Sequence, residues 1–240
     1  MASSNRSYQI PPWMRPLAQR LSPTIRTLVL AMAVPWLFYV LVKPVRGLLE
    51  EYLILGPNIM KGYVWQVATA IFVDPSPLAF LNLLGLWFVG AAIERTLGRR
   101  RFLVVFFVPG LMSHVVFVLF SSWWGMWMLN GGCGDSVLGL FVGLAVLYGP
   151  AQVRVIGSLA MSARSLAALF VFLVLISAGA YGAWPALFGT LSAVATAYLL
   201  CGGRGQSARE ILSWAQRRLS RRHMRVMDGG RSSHRRDFLN

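Results

Sequence analysis

Six apolar stretches, at roughly residues 27–42, 78–93, 102–120, 137–149, 165–181 and 185–200, decide what this 240-residue chain can become. Each approaches the ~20 residues that an α-helix needs to cross a hydrocarbon core of about 30 Å. Lipid offers no hydrogen bonds, so a spanning segment must satisfy its backbone internally and becomes a helix. The expectation is an all-α fold, a polytopic membrane helix bundle with six transmembrane helices. It divides into an N-terminal tail (1–24), a membrane domain (25–201) and a basic C-terminal tail (202–240). Composition agrees, since 56% of residues are hydrophobic and only 13% are charged, unlike a soluble domain. A net charge of +15 would suit a nucleic-acid binder. Here the arginines flank apolar spans instead of lining a soluble surface, so the expected partner is the lipid bilayer and not nucleic acid.

The arginines also orient the chain. Arg6, Arg15, Arg20 and Arg26 precede the first span. Arg95, Arg99, Arg100 and Arg101 fill the gap after the second, Arg154 and Arg164 the gap after the fourth, and an arginine-dense tail follows the sixth. The remaining gaps are mixed or neutral. Cytoplasmic loops carry the Lys/Arg excess, so both termini are expected in the cytoplasm. The polar, Pro-rich start lacks a short apolar core with a cleavage site, so no removable signal peptide is expected. Residues 45–63 are apolar enough to lie in the outer interface, and Trp123, Trp124 and Trp127 read as an aromatic belt. Pro35 is expected to kink the first span. From Gln206, Ile211, Ala215 and Leu219 recur at helical spacing among arginines, the pattern of an amphipathic helix on the inner leaflet or of a solvated tail. Cys133 and Cys201 fall in different spans, and no disulfide is expected.

One region carries a more specific pattern. From Trp65 the chain reads Trp-Gln-Val-Ala-Thr-Ala-Ile-Phe, then Asn82, Leu86-Trp87 and Glu94-Arg95-Thr-Leu-Gly98, ending at Phe102. This resembles the rhomboid family of intramembrane serine proteases, whose Trp-Arg-x-x-Thr-x-x-Phe segment leads to His-x-x-x-Asn, Leu-Trp and Glu-Arg-x-x-Gly-x-x-x-Phe. Six spans with both ends inside match that family's minimal bacterial topology, which implies a bacterial inner membrane. The resemblance covers residues 63–200 and is most specific over 65–102.

The same resemblance implies a site, and this chain departs from it three times. The family's second-span histidine falls at Leu78, although Asn82, its oxyanion-stabilising partner, is kept. The nucleophile belongs in the glycine-rich segment Gly131-Gly132-Cys133-Gly134-Asp135-Ser136. One register places Cys133 at the serine; another, fixed on Gly139, places Gly134 there. The family's general base, a histidine near the start of the sixth span, has no counterpart in Trp184-Pro185-Ala186-Leu187-Phe188-Gly189. The chain has three histidines. His223 and His234 lie in the basic tail, which leaves His114 in the third span.

A hydroxyl needs a base within about 3 Å to act as a nucleophile at neutral pH. The expectation is therefore a rhomboid-like pseudoprotease that engages transmembrane segments of client membrane proteins, with Asn82, Gly134 and Asp135 at the binding position and no cofactor or metal. The alternative is an active serine-type endopeptidase with a displaced nucleophile, Ser136 or Cys133, served by His114. A bundle-facing histidine bonded to a neighbouring helix is the plainer role for His114. Asp135 reads as an interfacial charge favoured by a helix N-terminus. A small transporter or channel is a further class, with Asp74 and Asp135 as its polar foci. Gly139 with Gly143, and Gly189 with Ala193 and Ala197, form small-residue faces on spans four and six that suit close helix packing.

Overall fold

The computed structural model describes residues 22–76, 79–149, 152–156, 159–180 and 182–203. Both tails and Leu78 lie outside this set, including the amphipathic helix expected from Gln206. Eight α-helices run through the described residues: α1 Pro23–Leu41, α2 Lys43–Tyr52, α3 Gln66–Thr69, α4 Ala79–Leu97, α5 Arg99–Trp124, α6 Gly134–Tyr148, α7 Ala163–Ala180 and α8 Trp184–Tyr198. Six of them coincide with the six apolar stretches. Five are long and apolar enough to cross a membrane, α8 by continuing through the π-turn Leu199–Gly203 so that the span runs over the 19 residues Trp184–Gly202. The exception, α6, has 15 residues and so a length of only about 22 Å, short of the ~30 Å hydrocarbon core. It can be short because it lies inside the bundle: every residue from Ser136 to Leu144 is buried. A helix walled by other helices need not match the bilayer thickness.

Successive helices alternate in direction, so the bundle has two ends. Arg95 and Arg99–Arg101 sit where α4 turns into α5 at Gly98, whose φ of 78° favours glycine. At this arginine end Ser22 caps α1, accepting from the Ile25 N–H and donating to Glu94. Tyr148, at the foot of α6, bonds the Ala92 carbonyl of α4 at 3.3 Å. The opposite end carries the starts of α4, α6 and α8, and it is here that the site lies.

Small residues set how closely the helices approach. A Cβ at Gly139 would lie 3.1 Å from Pro109 of α5 and 3.4 Å from the Ala197 Cβ of α8, and one at Gly143 would lie 3.0 Å from Cys201 Sγ. These contacts bring α6 against α8 along the small-residue faces read from the sequence. Both cysteines are free and buried. On α7 the ring of Phe170 stacks on Phe141 of α6, centroids 4.2 Å apart.

Two features go beyond the sequence expectations. Residues Gln152–Ile156 (β1) and Leu159–Ser162 (β2) form a two-stranded antiparallel hairpin between α6 and α7. Its register shift between Arg154 and Ile156 marks an irregular turn region. The interfacial region 45–63 is also more ordered than its mixed composition suggests. It holds α2 and a 3-10 turn over Pro57–Lys61. The Tyr63 ring stacks on both Tyr52 and Trp65, and Leu55 pairs with Asn130 through two backbone hydrogen bonds of 3.0 and 2.9 Å.

An anchor ties α2 back to α1. Tyr39 donates to Glu50 Oε1 at 2.7 Å, and Arg46 Nε donates to the same oxygen at 3.0 Å. The hydrogen bond from Tyr39, and then that from Arg46, hold the Glu50 carboxyl below its usual range. A depressed carboxyl stabilises the fold above its unfolded pKa and loses that contribution as pH falls through the folded one. The anchor is thus intact at neutral pH and weakens below about pH 4. A spin label at Gly47, where an added Cβ meets nothing within 4 Å, is expected to gain mobility over that window. No such gain is expected in Glu50→Gln, which has nothing left to titrate.

Candidate functional site

The site is built where the loop before α6 threads against the segment before α4. Gly132 N–H donates to the Ala70 carbonyl at 2.7 Å. A Cβ on Gly131 would lie 2.6 Å from the Val73 carbonyl, and one on Gly132, at φ +97°, would collide with the Asp74 carboxylate. Only glycine combines that backbone with that approach. The glycine run therefore serves to deliver the head of α6 to a fixed place.

Asp74 organises the α4 side. Its Oδ1 accepts from the Ser76 N–H at 2.8 Å and its Oδ2 from Asn82 Nδ2 at 3.0 Å. The Ser76 carbonyl in turn accepts from Trp36 Nε1 at 3.0 Å, which fastens α1 to the same loop. Asn82 thus points its amide at the head of α6, where a Cβ on Gly134 would lie 3.4 Å from Nδ2. Gly134 is thus the residue of the glycine segment that lies against the Asn82 amide. Cys133 faces elsewhere: it lines a small cavity with Met32, Phe72, Leu83 and Asp74, on the α1–α4 side of the loop.

Asp135 stands in the first turn of α6, the helix N-terminus expected for it. Its Oδ2 accepts from Ser113 of α5 and its Oδ1 from Thr190 of α8 at 2.9 Å. Ser113 lies eleven residues before Trp124, the last residue of α5, and so about 16 Å below that helix end. The carboxylate thus joins α6 to both α5 and α8. The sequence signals that point to this are Ser113 and Thr190, polar residues inside apolar spans. A Cβ on Gly189, beside Thr190, would come within 2.9 Å of the Ser113 carbonyl and hydroxyl oxygens, so that glycine lets α8 reach α5.

Ser136 and His114 are not joined. Ser136 Oγ is buried with no hydrogen-bond partner and points at Gly110 of α5, where an added Cβ would collide with it. His114 Nδ1 lies 2.9 Å from the Val67 carbonyl. A carbonyl only accepts, so Nδ1 carries the hydrogen. On α8, Ala186 lies one turn before Thr190 and shares its face. It packs against the apolar cluster of Leu55, Ala70 and Phe117. Among the described residues no group of three or more His, Cys, Asp or Glu is placed to hold a metal ion.

A multi-pass membrane bundle with a short buried helix, headed by a glycine loop and flanked by an asparagine amide, is the class these features define. Comparison with known proteins narrows it. The rhomboid domain matches residues 61–203, and the chain belongs to the rhomboid family. It is 28% identical over 123 residues to the rhomboid protease GlpG of Salmonella paratyphi A (strain ATCC 9150 / SARB42), a match covering 51% of this chain and 44% of that protein. It is 37% identical over 67 residues to the GlpG of Salmonella choleraesuis (strain SC-B67), covering 28% and 24% respectively. The chain thus spans less than half the length of the curated relatives it matches. It is a rhomboid-type integral membrane protein.

Proposed function

We propose that this protein is a rhomboid pseudoprotease: it binds transmembrane segments of other membrane proteins and leaves them intact. The observation that carries the reading is Gly134 beside the Asn82 amide, where the family needs a hydroxyl. The missing base supports it. α8 presents Ala186 and Thr190 on the face turned to α6, and Thr190 is committed to Asp135. General-base assistance contributes about 10²–10⁴ in rate, and a serine left without it is a poor nucleophile. The basic loops support a membrane orientation with the arginine end in the cytoplasm, and the family resemblance suits a bacterial inner membrane.

Reconstitution with a helix-destabilised transmembrane substrate tests this directly. The expected result is an intact substrate that crosslinks to a photoreactive group placed at Asn82. Product that forms in wild type and disappears in Ser136→Ala or Cys133→Ala would overturn the proposal in favour of a displaced nucleophile.

A further inference from the structure

We infer that Asp135 is the selective contact of the client site and that it recognises transmembrane segments carrying a lysine or arginine within the bilayer. This rests on the client-binding reading and adds the chemistry of the client. The carboxylate lies beside Ser113, eleven residues before the end of α5. Both of its hydrogen-bond partners, Ser113 and Thr190, are neutral hydroxyls. Among the described residues the ion pair is Arg46–Glu50, and no cation lies within ion-pair distance of Asp135. The titratable group that feels its charge is His114, whose Nδ1 hydrogen is committed to Val67. The α6 N-terminus offers roughly half a positive charge, which leaves the anion undercompensated.

The group is also reachable. Asp135 and Gly134 are both partly exposed, whereas Ser136 through Leu144 are buried. Two hydroxyl donors occupy half of the four lone-pair directions of a carboxylate, and an ammonium or guanidinium can take the rest. A basic residue within the bilayer is costly in lipid alone, and pairing here relieves that cost. Charge complementarity thus selects one occupant, a basic transmembrane helix, over an uncharged or acidic one.

The test uses the full-length protein in phosphatidylcholine vesicles with a single-span, leucine-rich peptide. The peptide carries Lys, Met or Asp at one position, stepped along its span in a series of peptides, and capture is read by photocrosslinking. Wild type is expected to capture the Lys peptide at least tenfold better than the Met peptide, and the Asp peptide least. Asp135→Asn is expected to bring Lys and Met capture within twofold of each other, and Glu50→Gln to retain the preference. Equal capture of Lys and Met by wild type overturns this inference and leaves client binding standing. Failure to capture any peptide overturns both. The wild-type comparison decides even if Asp135→Asn does not fold.

Discussion

Gly189→Val is expected to destabilise the bundle by about 3 kcal/mol, the upper end for overpacking a well-filled core. For a chain of this size that lowers the thermal midpoint by roughly 6–12 °C. The reason is the nature of the obstacle. The added Cβ would meet the Ser113 carbonyl at 2.9 Å, and a backbone atom inside α5 cannot swing aside as a side-chain tip can. Relief requires α8 to move away from α5. That movement would disrupt the Phe120–Phe188 stack, whose centroids are 4.4 Å apart, and the Thr190–Asp135 bond. Gly179→Val is the control, because a Cβ there meets nothing within 4 Å. Its cost is expected to be small. The measurement is thermal unfolding in detergent followed by accessibility of the buried Cys201. Equal midpoints for the two variants would show that α5 and α8 are not in the close contact described.

The six spans were legible in the sequence because lipid leaves the backbone one local solution, and local solutions are visible in a linear pattern. The small-residue faces of α6 and α8 were legible for the same reason. Asp135 was not. Its placement depends on Ser113 and Thr190, which are 22 and 55 residues away in the chain, and a first-turn acid looks the same in sequence whether it faces water or two hydroxyls. The approach of Gly134 to Asn82 was hidden likewise, because nothing local in the glycine segment distinguishes Gly134 from Cys133. The hairpin between α6 and α7 escaped because it is short and lies between stronger signals.

The Asp135 bridge gives a physical account of how a rhomboid scaffold persists with this sequence. In the family, α6 and α8 are the helices whose serine and histidine meet. Here the residues one step along, Asp135 and Thr190, make a bond between the same two helices, and Ser113 extends it to α5. A charge-assisted hydrogen bond is about twice as strong as a neutral one, so this bond holds α6 to α8 whether or not the bundle is catalytic. Thr190→Val is expected to cost about 1.5–3 kcal/mol in unfolding, in line with the loss of a hydrogen bond to a charged group. Ser113→Ala combined with Thr190→Val is expected to cost more than the sum of the two, because the pair removes both hydroxyl donors from the carboxylate.

Gly134→Ser combined with Ala186→His is expected to turn the protein into a slow protease. A serine fits at 134, since the Cβ would sit at an ordinary 3.4 Å from Asn82 Nδ2. Ala186 is the α8 position from which an imidazole can reach that hydroxyl, being one turn before Thr190, which already contacts the neighbouring Asp135. Asn82 has two amide hydrogens, of which Asp74 takes one, so the other is available to a developing oxyanion. What remains missing is the second donor, because Leu78 stands where the family has histidine. Loss of one oxyanion donor costs about 10²–10³ in rate, so the double variant is expected to fall that far below an active rhomboid protease on the same substrate. Gly134→Ser alone lacks a base and Ala186→His alone lacks a hydroxyl, so both single variants are expected to be silent. The readout is labelling by a fluorophosphonate probe together with substrate cleavage in proteoliposomes. Labelling of the single serine variant as fast as the double would mean that a base other than position 186 serves residue 134, and α8 would then not be the helix on which the lost base belongs.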